Sequence, residues 1–96
     1  MKLTVIPDDG AVYLDNVSYD HLDMTGVPTE VHALQWKETF GWIEFKDSAE
    51  QNAQITELPE WALALIPLWD AAKLAEKAAS NKQYTASVNP LPVTIL

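Results

Sequence analysis

Two histidines, fourteen carboxylates and no cysteine are the side chains on which chemistry would have to rest. A metal site would draw on His21, His32 and nearby Asp or Glu. Zinc sites place ligands close along the chain, as in His-x3-His, and no such spacing occurs here. We therefore expect a surface His21, a partly buried His32 in a strand, and no bound metal. Asp8-Asp9-Gly10 with Asp15 has some flavour of a calcium loop. Setting Gly10 at the sixth position of that loop puts Val5 at the first, where a carboxylate is required. The match fails.

Hydrolytic chemistry fares no better. Asp20, Asp23 and Glu44 could be drawn together as acid and base, but no apolar pocket is written around any of them to raise one pKa. Ser18, Ser48, Ser80 and Ser87 lie in no nucleophile-elbow context, and no glycine-rich phosphate loop is present. The residues imply no enzyme and no cofactor.

The tryptophans are the informative side chains. Trp36, Trp42, Trp61 and Trp69 are many for 96 residues. Each can bury a large area in a core, and each can anchor an interface. Four are hard to bury completely in a chain this small. Trp42 is the expected anchor, because alternation sets it on the face of Glu44 and Lys46. Trp61, at a helix start, is the second.

Positioning these residues falls to a single domain, as the length implies. Apolar residues make up 48% of the chain, too many for a disordered segment. No run reaches the roughly 18 apolar residues of a membrane span. The N-terminus lacks the apolar core of a signal peptide, so a soluble cytosolic product is expected. Charge is uneven. Residues 1–57 hold eleven acids against three Lys, and residues 58–96 hold three of each. There is no Arg. Phosphate recognition needs clustered cations, so nucleic-acid binding is not expected.

The pattern predicts an α+β fold. Its parts are a small antiparallel sheet of about four or five short strands, one long Pro-kinked C-terminal helix and an extended tail. Residues 2–6 alternate as a strand, Pro7-Asp8-Asp9-Gly10 is a turn, and Ala11–Leu14 returns as a hairpin. Asp15-Asn16 turns again into Val17–Tyr19. His21 to Glu30 reads as a loop or short helical turn. Val31–Trp36 is a strand, with Val31, Ala33 and Gln35 on one face and His32, Leu34 and Trp36 on the other. Trp42–Lys46 pairs with it through a short loop. Asp47 to Gln54 reads as surface loop.

Thr56 or Glu57 is the expected N-cap of the helix, with Pro59 near its first position. Trp61, Leu65, Leu68, Trp69 and Ala72 form its apolar stripe. Pro67 should kink or split it. The domain is expected to span residues 1–81, and residues 82–96 to form the tail. Pro90 and Pro92 forbid a helix or central strand there, yet the last residues are apolar and β-prone. Leu91, Val93, Ile95 and Leu96 either pack on the chain's own sheet or add to a partner's.

Several segments together carry a resemblance. Val31-His32-Ala33-Leu34-Gln35-Trp36 is followed by Gly41-Trp42-Ile43-Glu44-Phe45. Then come Ile55-Thr56-Glu57-Leu58, Trp61 and Trp69-Asp70-Ala71-Ala72. This order resembles a group of small tailed-bacteriophage proteins encoded near tail-fibre genes, over roughly residues 1–77. The segment from Lys82 onward departs from that group. The resemblance implies a virion or assembly role and carries no catalytic residues.

The expected function is thus a phage tail-associated protein acting by protein–protein binding. It would be a small structural subunit or a tail-fibre assembly chaperone, found in the virion or in host cytoplasm during assembly. Its partner would be a tail or fibre protein, and self-association is a further expected mode. The alternative is an acidic inhibitor that docks on the basic surface of a host defence protein.

Overall fold

In a computed structural model of the chain, residues 1–88 are described, with side chains through residue 78. Six strands and two helices follow one another as β1 (Lys2–Ile6), β2 (Ala11–Leu14), β3 (Val17–Tyr19), β4 (Val31–Lys37), β5 (Phe40–Phe45), β6 (Ala53–Ile55), α1 (Glu60–Leu63) and α2 (Leu65–Val88). The strands form one antiparallel sheet in the order β3-β2-β1-β4-β5-β6. The helices pack on one of its faces, which is the α+β fold the sequence implies.

The turns follow their residue chemistry. Gly10 takes φ +61 after a single 3-10 turn at Pro7–Asp9, and its amide closes that turn on the Pro7 carbonyl. Asp15 and Asn16 both sit at positive φ between β2 and β3, the two-residue hairpin geometry that Asp and Asn tolerate. The β4–β5 loop also has two residues, Glu38 and Thr39, with Glu38 at φ +61.

Strand alternation sorts the sheet into two faces. Leu3, Val5, Val12, Leu34 and Trp36 point to the helices and join Ala62, Leu65 and Trp69 in one core. Gly41 faces the core opposite Trp36, and a Cβ there would lie 2.2 Å from the Gln35 carbonyl oxygen. The absence of a side chain at Gly41 thus lets the β4 backbone at Gln35 and Trp36 approach closely.

Several details differ from the sequence reading. The register of β4 and β5 shifts between Val31 and Ala33. This β-bulge carries Val31 across to the core side with Leu34 and Trp36, and leaves His32 exposed. Ala53–Ile55, within a stretch mostly read as loop, forms β6 and pairs with β5. The helical N-cap is Pro59, whose carbonyl accepts from Ala62 and Leu63. Thr56 and Glu57 precede it.

Pro67 divides the helical segment as expected. Ala64 links α1 to α2, and Pro67 falls in the first turn of α2, where no amide donor is needed. Leu68 is 36% exposed and lies at the edge of the stripe rather than in the core, since Leu65, Trp69 and Ala72 centre the buried face of α2 about 60° away from it. Helix α2 continues through Val88, into the segment read as extended from Lys82. The tail residues Leu91, Val93, Ile95 and Leu96 lie outside the described residues. Among the described residues no helix is long and apolar enough to cross a membrane.

Candidate partner-binding surface

The helices cover one face of the sheet and leave the other open. On the open face the strand registers bring Ser18, Tyr13, Thr4, Gln35, Trp42 and Gln54 into one row that crosses all six strands. Neighbours in such a row stand about 5 Å apart, close enough to act as one surface. At its centre the Thr4 hydroxyl donates to Gln35 Oε1 at 2.8 Å. That bond fixes the amide and offers its NH2 group outward.

Trp42 is held in place rather than loose. Its indole N–H donates to Glu44 Oε2 at 3.0 Å, along its own strand. The Lys37 ammonium lies 5.5 Å from its ring centroid, a cation–π distance. Phe40 pairs with Lys37 in the next row and is 49% exposed, while Tyr13 is 44% exposed on the other side of Thr4. Two aromatics and a half-buried indole thus flank a polar centre. Lys2 and Lys37 face each other at one border. The acids Asp8, Asp9, Asp15, Asp47 and Glu50 lie in turns and loops around the sheet. An aromatic, charge-poor centre with a charged rim has the composition of a protein interface core.

The other expected anchor is placed differently. Trp61 is half-buried and packs against the core from α1. Trp36 and Trp69 are core residues. Trp69 donates its indole N–H to the Val17 carbonyl at 2.9 Å, meets the Tyr19 ring edge-on at 5.5 Å, and has the Lys73 ammonium 5.2 Å above it. Those contacts tie α2 to the β3 edge. Tyr19 adds a hydrogen bond from its hydroxyl to Glu76 Oε1 at 3.1 Å. Desolvation, then that bond to a carboxylate, pushes the Tyr19 pKa above the ordinary tyrosine value.

Beside β3 lies a cleft of about 660 Å³ whose wall carries Asp8, Asp9, Asp20 and Glu76 along with Tyr13, Tyr19 and His21. Asp8 is paired with Lys46 at 3.1 Å, and Asp20 Oδ1 sits 3.1 Å from His21 Nδ1. The cleft is rich in acids and is partly open to solvent. Among the described residues no three His, Asp or Glu side chains gather as metal ligands. Asp23 accepts from the Thr25 hydroxyl and amide. Those bonds hold its carboxyl below the usual range. Glu44 accepts from the Trp42 indole.

Reading the sequence alone singles out Trp42 but passes over Tyr13, Phe40, Thr4 and Gln35. Their signal was the period-two alternation: Tyr13 stands between the core residues Val12 and Leu14, and Thr4 between Leu3 and Val5. Comparison with protein-family models, curated proteins and solved structures finds no match for this chain.

Proposed function

We propose that this chain works by binding another protein through the open face of its sheet, as a small phage tail-associated protein. Within that role it serves as a structural subunit or as a tail-fibre assembly chaperone. The observation that carries the binding reading is the in-register row Tyr13–Thr4–Gln35–Trp42, flanked by Phe40 and left uncovered by the helices. A monomer gains little by holding Phe40 and part of Trp42 toward water. A docked partner would bury them as central anchors, with Thr4 and Gln35 setting register by hydrogen bonds. The phage assignment rests on the order of the strand and helix motifs. Quantitative mass spectrometry of purified particles tests it: a fixed copy number supports a tail component, and expression without incorporation supports a chaperone.

The second reading is an acidic inhibitor of a basic host protein. The acid-rich cleft beside β3 favours it. Salt separates the two modes. Docking through the carboxylates of the cleft weakens steeply as ionic strength rises, whereas docking through the aromatic face changes little.

A further inference from the structure

Helix α2 has a second face, and no part of the described chain covers it. Leu65, Trp69 and Ala72 turn toward the sheet. On the opposite side Pro67, Ala71, Leu74 and Ala78 recur at spacings of four, three and four, which is the seam of a heptad. Leu68 and Ala75 widen that seam on one flank. Leu74, at its centre, is 69% exposed, the most exposed of the large apolar side chains among the described residues.

The charges on the other flank choose the occupant. Lys73 is committed to the Trp69 ring and Glu76 to the Tyr19 hydroxyl. Asp70 and Lys77 remain, one heptad apart on the same edge of the seam, and neither makes an ion pair among the described residues. Two such helices laid antiparallel bring like heptad edges together. Asp70 of one copy then meets Lys77 of the other, and the two-fold axis repeats the pair. Ala71 layers on the second copy's Leu74, and Leu68 on its Ala75. A parallel arrangement would instead set Asp70 beside Ala75 and leave it without a cation.

Net charge points the same way. Residues 1–57 carry nearly all of the chain's imbalance, while residues 58–96 balance three acids with three Lys. Two copies meeting through their strands would set like charge against like. Meeting through α2, they approach by their neutral halves.

We propose that α2 is a self-association surface, on which a second copy of this chain docks antiparallel about Leu74 with reciprocal Asp70–Lys77 pairs. This surface is separate from the open sheet face, so either can fail without the other.

The test is sedimentation equilibrium on the full chain, with thermal melting by circular dichroism run in parallel. Wild type should be dimeric at roughly 100 μM, within reach of a modest helix-pair interface. Leu74→Glu should be monomeric there and should melt at the temperature wild type shows when diluted until it too is monomeric. Asp70→Lys alone and Lys77→Asp alone should each weaken the dimer roughly tenfold, since each sets two like-charged pairs across the axis. The double variant D70K/K77D should recover wild-type association, because it only exchanges the ends of each pair. A monomeric wild type at that concentration would overturn the proposal, as would a Leu74→Glu dimer of undiminished strength. A double variant no better than the single ones would equally overturn it.

Discussion

The two faces of this sheet come from the same six strands and the same alternation, yet they do opposite work. Toward the helices, Leu3, Val5, Val12 and Leu34 are sealed from solvent in one apolar cluster with Trp36, Ala62, Leu65 and Trp69. Toward the open side, Tyr13, Thr4, Gln35 and Trp42 occupy the equivalent row, half-exposed, with their polar atoms already hydrogen-bonded or turned outward. The first face is explained by folding alone. The second is not, since burial of the covered face already holds the sheet together. If the open face binds a partner as proposed, stability and binding reside on different sides of the same strands, and substitutions should separate them.

The sharpest contrast comes from Leu34, which is fully buried on the central strand β4. Leu34→Ala should cost about 3 kcal/mol, from lost transfer energy plus the cavity left behind, read by urea denaturation. Gly41→Ala should cost about 2–3 kcal/mol by the same assay, because the new methyl meets the Gln35 backbone and the Trp36 ring and one strand must move. Trp69→Phe keeps most of the ring area but strands the Val17 carbonyl, and should cost about 1–2 kcal/mol.

The open face should behave otherwise. Trp42→Ala removes an indole bonded to Glu44 and stacked by Lys37, and should lower stability by only about 1 kcal/mol. An effect as large as that of Leu34→Ala would mean that the open face is part of the core, and the comparison between faces would collapse.

The smallest effect is pH-dependent. Tyr19 binds its proton more tightly folded than unfolded, so its contribution is complete below the unfolded pKa and is lost as pH rises beyond it, toward the folded value. Melting temperatures of wild type should therefore fall as pH climbs past about 10, and Tyr19→Phe should show a shallower fall. Equal slopes would place the α2–β3 tie elsewhere.

Much of this fold was legible in the residues, for reasons that also explain what was not. The hairpins could be read because Asp15-Asn16 and Pro7–Gly10 carry their turn chemistry locally. The split helix could be read because Pro67 lacks an amide. Strand β6 was missed because Ala53-Gln54-Ile55 is too short to show a period, and its pairing with β5 is a tertiary fact. The bulge at His32 was invisible for a related reason, since alternation read from one strand cannot reveal a register shift against its neighbour. Leu68 was assigned to the core because its spacing puts it within one turn of Leu65 and Trp69, and spacing alone does not say how wide a stripe the sheet covers. The candidate surface was half-legible: Trp42 announced itself by type, whereas Tyr13, Thr4 and Gln35 gain meaning only when three strands align them.

The most direct test of the open face is isothermal titration of the purified chain with a phage tail-fibre protein, the partner class proposed above. Wild type should be compared with the triple variant Tyr13→Ala, Phe40→Ala, Trp42→Ala. Loss of affinity by roughly a hundredfold or more in the triple variant, with a cooperative melt retained, is the predicted result, as expected when several anchors of one interface are removed together. Equal affinity for wild type and the folded triple variant would contradict the account, and would move binding to another surface of the molecule.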